Sequence, residues 1–203
     1  DNPDWQRQDE SGGLTLDVTG AENFTSIVAI EPSGLEQGLL WVGTDGGGLN
    51  RWDPVTNQFD VFRHDPLDQS SLSADTVYAL YVDAENRVWV GTRGGGLDRV
   101  LVSTRHPGVV RFSNYSQADG LSNDVIYGIQ GDDQGNLWLS TNFGLNRFNP
   151  DTGEVKRFHR THRLQAAEFN FGAHFRSKDG ELYFVGANGF NRFHPDALPR
   201  NTR

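Results

Sequence analysis

The stretch Leu40-Trp-Val-Gly-Thr44 recurs as Val88-Trp-Val-Gly-Thr92, as Leu137-Trp-Leu-Ser-Thr141 and, more loosely, as Leu182-Tyr-Phe-Val-Gly186. Each copy is an apolar, β-prone run with an aromatic in second place. The aromatics stand at Trp41, Trp89, Trp138 and Tyr183, so the spacings are 48, 49 and 45 residues. Self-similarity in that range marks a repeat architecture, and a propeller blade is among the units with this period.

Reading outward from the second copy, Val77–Val82 is nearly all apolar, as expected of a strand covered on both faces. Asp83-Ala-Glu-Asn-Arg87 makes a turn, the pentapeptide follows, Gly94–Gly96 turns again, and two more strands complete the unit. Four short strands joined as consecutive hairpins are one blade. On this reading the blades fall at about residues 23–65, 72–114, 121–159 and 168–195, and the last stops at Pro195 without a fourth strand. Leu14-Thr-Leu-Asp-Val18 alternates like a strand but has no blade of its own. It would supply the missing outer strand and close a small ring; otherwise a second copy would satisfy the open edges, as a homodimer.

Totals agree with many short strands. The chain has 203 residues, 11% aromatic residues and 24 Gly, which suits hairpins and not a disordered chain. The formal charge of -9 argues against nucleic acid as a partner, and no apolar run is long enough to insert in a membrane. With no cysteine, disulfides and thiolate metal sites are excluded. The chain begins at Asp1 and contains no Met, which reads as a processed or excised piece of something longer.

The units share the pattern Asp-x-x-Gly-x-Leu-Trp-(Val/Leu)-(Gly/Ser)-Thr-x-x-Gly-(Gly)-Leu-x-Arg-(Phe/Trp), best seen in Asp132–Phe148 and Asp83–Val100. Leu72-Ser-Ala-Asp75 and Gly120-Leu-Ser-Asn-Asp124 precede these two. This resembles the two-component-regulator propeller repeat, found in extracytoplasmic sensor regions of bacterial hybrid histidine kinases and diguanylate cyclases. Departures are Asn86 for the turn Gly of the second copy, the longer Pro32–Gly38 insert in the first, and Ser140 and Val185 at the Gly–Thr pair. The resemblance implies an all-β β-propeller of about four blades of four antiparallel strands, the C-terminal part of a larger sensor region. It further implies a periplasmic location and a small-molecule or oligosaccharide stimulus signalled to a cytoplasmic output domain.

Chemistry-bearing motifs are sparse. Gly46-Gly-Gly48 and Gly94-Gly-Gly96 are followed by strands, not helices, so they are hairpin turns and not phosphate cradles. Asp132-Asp-Gln-Gly-Asn136 and Ser177-Lys-Asp-Gly180 are too short for a calcium loop. His159-Arg-Thr-His162 with His174 lacks the spacing of a metal set. No hydrolase motif occurs, so no catalytic residue, metal or cofactor is assigned, and the segment is read as non-enzymatic. Trp41, Trp89, Trp138 and Tyr183 recur mid-strand and read as packing between blades; Arg51, Arg99, Arg147 and Arg192 read as a recurring structural contact.

Ligand contact is therefore expected from polar residues on loops at one end of the blades: Asp75, Arg93, Asp124, Asn142, Arg163, Asn170 and Asn188. The functional expectation is a ligand-sensing propeller working by population shift. A propeller polysaccharide lyase or hydrolase and a pure interaction scaffold are the alternatives.

Overall fold

The computed structural model describes residues 26–33, 38–102, 109–162, 164–165 and 167–197. The first sheet is β1 (Ile27–Pro32), β2 (Leu40–Thr44), β3 (Leu49–Asp53) and β4 (Gln58–Phe62). The second is β5 (Val77–Val82), β6 (Val88–Thr92), β7 (Leu97–Val102) and β8 (Val110–Tyr115). The third is β9 (Ile126–Gly131), β10 (Leu137–Thr141), β11 (Gly144–Phe148) and β12 (Val155–Phe158). The last has three strands, β13 (Phe169–Arg176), β14 (Leu182–Gly186) and β15 (Gly189–Phe193). Every sheet is an antiparallel meander, and the four are the blades of a β-propeller. The Leu14–Val18 strand expected to close the ring lies outside the described residues.

Each pentapeptide is the second strand of its blade, and its chemistry is local. Trp89 Nε1 donates to Asp83 Oδ2 at 2.8 Å, and Trp138 Nε1 donates to Asp132 Oδ2 at 2.9 Å. The other oxygen of each Asp accepts turn amides, from Glu85 and Arg87 in one blade and Gln134 and Asn136 in the next. One carboxylate thus folds the turn and anchors the indole six residues on. Asn86 takes the left-handed φ of 61° that Gly135 and Gly180 supply elsewhere, which Asn tolerates. The repeated Arg is the cross-strand partner of the aromatic: Arg51 and Arg99 lay their guanidinium groups 5.9 Å from the Trp41 and Trp89 ring centres.

The core lies between blades. Trp41 and Leu49 of the first pack on Val77, Leu80 and Val90 of the second. Trp89 and Leu97 pack on Ile126, Ile129 and Leu139 of the third, and Trp138 and Leu145 on Phe169, Leu182 and Phe184 of the last. These Trp side chains are at most 1% exposed, so they are packing residues and not surface platforms. Close approach demands small residues: a Cβ on Gly43 would lie 2.5 Å from Val77 Cγ1, and one on Gly91 2.8 Å from Ile126 Cγ2. Inner strands β1, β5, β9 and β13 follow one another around the axis. Among the described residues no comparable contact joins β13 back to β1. Large apolar side chains are exposed on both end blades, Ile27 and Ile30 of β1 and Phe175 and Phe190 of β13 and β15.

Blades are also stitched by backbone. The carbonyl of Asp75 accepts from Gly48 N at 2.8 Å, and that of Asp124 accepts from Gly94 N and Gly96 N at 2.9 and 2.8 Å. Gly96 has φ of 86°, and a Cβ there would lie 2.2 Å from the Tyr115 carbonyl oxygen. Gly94 has φ of 101° with nothing within 4 Å. Gly96→Ala is expected to cost roughly 2 kcal/mol or more, and Gly94→Ala only the backbone strain of about 1–2 kcal/mol. Urea midpoints of the two variants check this, and equal losses would show that the carbonyl contact carries no weight.

Candidate functional site

The first strand of each blade lines the axis, so its side chains near the strand start meet at the channel mouth. Tyr78, second in β5, stacks on Tyr127, second in β9, with ring centres 5.8 Å apart and planes at 19°. Phe171 of β13 reaches across to Tyr78 at 4.7 Å, closing a three-ring cluster from three blades. Tyr78 and Tyr127 are half-buried, whereas Phe171 is 43% exposed. The Tyr127 hydroxyl donates to Asn142 Oδ1 at 2.7 Å.

Polar groups ring these aromatics. Arg93 and Asn142 occupy the same place in successive blades, one residue past the second strand, and Asp45 takes it in the first. Asp45 Oδ1 accepts from Thr76 Oγ1 at 3.2 Å, and Arg93 bridges to Val125 through its backbone. Burial, then the carboxylate of Glu168 and the neighbouring Tyr78, push the Tyr127 hydroxyl above the usual tyrosine range. The Asn142 hydrogen bond and the Arg93 charge pull it back. Both Arg93 and Glu168 therefore act on the Tyr127 hydroxyl from opposite signs.

The other residues singled out from the sequence are placed differently. Asp75 accepts from His64 N at 2.7 Å, and Asp124 from Gln117 N and Nε2 at 2.7 and 2.8 Å. Both are capping carboxylates whose carbonyls hold the preceding blade's glycine turn. Asn170 is exposed beside Phe171 in β13. Asn188 is exposed in the β14–β15 turn, where its N–H donates to Gln165 Oε1 at 2.9 Å. Arg163 lies outside the described residues. Of the six that lie among the described residues, Arg93 and Asn142 meet at the aromatic cluster, with Asn170 alongside. Tyr78, Tyr127, Phe171 and Glu168 were not anticipated. Tyr78 and Tyr127 share one register position at the start of an inner strand, and that recurrence of an aromatic is the signal that marks them.

Two further clusters lie elsewhere. His174 sits on the inner strand β13 against Gly128, where a Cβ would lie 2.2 Å from its Cδ2. Its Nδ1 accepts from Gln130 Nε2 at 2.8 Å, and burial lowers its pKa, so it is a neutral packing histidine. His159 and His162 pair with each other instead, His159 N donating to His162 Nδ1 at 3.0 Å. A groove of about 660 Å³ between the 64–73 linker and the second blade is walled by His64, Asp65, Ser73, Gly95, Asn114 and Asp124. Ser73 and Asn114 there hold the buried carboxylate of Asp98.

Fold and site together define a propeller segment with an aromatic, polar-rimmed channel mouth. The model of the two-component regulator propeller matches residues 71–94 and 120–143 of this chain. These are the strand-starting segments and Trp-bearing hairpins of the second and third blades. The chain is 24% identical over 206 aligned residues to the histidine kinase P4 of Formosa agariphila, covering 80% of this chain and 15% of the kinase. It also superposes on the extracellular domain of a protein described as a hybrid two-component system of B. thetaiotaomicron, with TM-score 0.67 and 26% identity. That match covers 84% of this chain and 23% of the domain. YCF48 from Cyanidioschyzon merolae shares the fold at TM-score 0.60 and 19% identity, over 93% of this chain and 56% of that one. The chain thus spans less than a quarter of either signalling relative. Among the described residues no helix is long and apolar enough to cross a membrane.

Proposed function

We propose that this chain is a ligand-sensing propeller from the periplasmic part of a membrane-bound bacterial signalling receptor, without catalysis of its own. The observation that carries this reading is the set of regulator-propeller repeats, in register, around an aromatic cluster whose exposed ring, Phe171, stands among polar rim residues. Likeness to the extracellular domain of a two-component system supports the sensor role, and a carbohydrate-derived stimulus suits a surface that pairs apolar rings with hydrogen-bonding groups. Signalling would follow from population shift: a ligand that prefers one arrangement of the receptor biases it by no more than its differential affinity.

A thermal-denaturation series against oligosaccharides and small metabolites tests the reading without presupposing the ligand class. A true ligand at 100 times its Kd is expected to add about 2.7 kcal/mol to stability, raising Tm by several degrees. Turnover of a polysaccharide would move the assignment to the lyase or hydrolase class. Absence of any stabilising ligand would leave the scaffold reading.

A further inference from the structure

The channel mouth sets two opposite charges, both left to solvent, beside an exposed aromatic ring. Neither the Arg93 guanidinium nor the Glu168 carboxylate has a hydrogen-bond or ion-pair partner among the described residues, and both side chains are exposed. Asn142 spends its Oδ1 on the Tyr127 hydroxyl, and among the described residues its Nδ2 has no partner. Phe171 leaves 43% of its surface to solvent although it reaches Tyr78 at 4.7 Å. The result is an exposed ring backed by a second aromatic, with a donor-only group, an acceptor-only group and a free amide around it.

Resting on the sensor reading above, we propose that Phe171, Tyr127, Asn142, Arg93 and Glu168 form a binding site for an uncharged pyranose unit of an oligosaccharide. The complement is chemical. One face of a pyranose is a patch of C–H groups, which packs on an aromatic ring. Its hydroxyls each donate and accept, so a vicinal pair can take hydrogen bonds from a guanidinium and give them to a carboxylate. Hydrogen bonds to charged groups are the stronger kind, and leaving them unmade in the bound state is costly, which gives the site selectivity for a sugar bearing both hydroxyls. A uronic acid or sulfated sugar fits less well. Its charge would face Glu168, with Asp45 at the equivalent rim position of the first blade, on a chain of net charge -9. A phosphate would pair with Arg93 but leave the ring unused and face Glu168, and a metal cation would face Arg93.

The test titrates the intact chain by calorimetry with neutral gluco-, xylo- and manno-oligosaccharides and with oligogalacturonate. The same titrations follow for Phe171→Ala, Arg93→Gln and Glu168→Gln, each first shown to unfold at the native temperature. A neutral series is expected to bind, with each substitution weakening it about tenfold or more. Neutral binding that stays within about twofold in all three variants would place the sugar elsewhere and overturn the site, while leaving the sensor reading intact. Oligogalacturonate binding more tightly than any neutral series, and tighter still in Glu168→Gln, would overturn the neutral class. If no oligosaccharide binds but the metabolite series finds another ligand, the sugar assignment fails and the sensor reading stands. Failure of every compound in both experiments removes both.

Discussion

Replacing Trp89 by Ala should lower the unfolding free energy by about 3–5 kcal/mol, the range for an aromatic removed from a close-packed core. Trp89 is 0% exposed. It lies between the second and third blades, 5.6 Å from the Phe148 ring in an edge contact and 6.2 Å from Tyr115. The guanidinium groups of Arg87 and Arg99 flank its ring at 5.8 and 5.9 Å. Its loss therefore opens a cavity at the joint through which the second blade supports the third. In a stacked-repeat protein stability is roughly a sum of unit and interface terms, so damage at one interface weakens the coupling and not one unit alone. The expected signature is a lower urea midpoint together with a broader transition. Trp89→Phe keeps most of the ring volume and gives up the bond to Asp83, which Arg87 Nε still holds at 2.6 Å; its cost should be about 1–2 kcal/mol. Phe143, 57% exposed, is the surface control, with an expected change within about 0.5 kcal/mol. A loss of under about 1 kcal/mol in Trp89→Ala would mean that the blades do not depend on this joint.

The same tryptophans explain why so much of the fold can be read before any coordinates. Hairpins are local: an Asp that folds its own turn, a Gly or Asn at positive φ and an alternating strand lie within about 20 residues of one another. Asp83, Asn86 and Trp89 state one blade's turn, strand and anchor in seven positions. Among the described residues the last sheet has three strands, and Pro195 follows β15 directly.

The site was less legible, for a physical reason. Asp75 and Asp124 look like loop polar groups free to meet a ligand. Their carboxylates accept from His64 N and Gln117 N, and their carbonyls hold the preceding blade's glycine turn, so both are committed to the scaffold by bonds that no sequence pattern shows. Tyr78 and Tyr127 lie inside apolar runs, where alternation cannot tell a side chain facing the axis from one facing the next blade. Only the arrangement of β5, β9 and β13 around the axis brings them to Phe171. Arg93 and Asn142 could be named because they follow the pentapeptide directly; Glu168 could not, because its nearness to Tyr127 depends on how the last blade is set against the third.

Asp98 carries the second large effect. Its position holds Asn50, Asn146 and Asn191 in the other blades, paired in register with Val42, Leu139 and Phe184, as Asp98 is with Val90. In the third blade the arrangement is neutral: Ser122 N donates to Asn146 Oδ1 at 2.9 Å, and Asn146 Nδ2 donates to Ser122 Oγ at 2.9 Å. Asp98, 0% exposed, accepts from Ser73 Oγ at 2.6 Å, Ser73 N at 3.1 Å and Asn114 Nδ2 at 3.2 Å. Burial outweighs these donors and pushes its carboxyl from 3.8 up to about 6. Between those two values the folded chain binds more protons than the unfolded one, so this group's contribution to stability falls as pH rises through the window. Below it the group is protonated in both states and costs nothing; above it the full cost of about 3 kcal/mol applies, at 1.36 kcal/mol per pH unit.

Asp98→Asn removes that charge. Asn114, which now donates to the carboxylate, must turn its amide or lose a hydrogen bond of about 1 kcal/mol. The net gain expected at pH 7 is thus about 1–2 kcal/mol, shrinking through pH 5 and gone by about pH 4, where native and variant chains should unfold at the same urea concentration or the variant slightly earlier. Because all other carboxylates are common to both proteins, the difference between their midpoints isolates this one group. A difference that stays constant from pH 7 to pH 4 would mean that Asp98 is ionised throughout and that its three donors, not burial, decide its state. A difference that closes as pH falls identifies the second blade as the one whose core holds a titrating charge beneath the 64–73 linker.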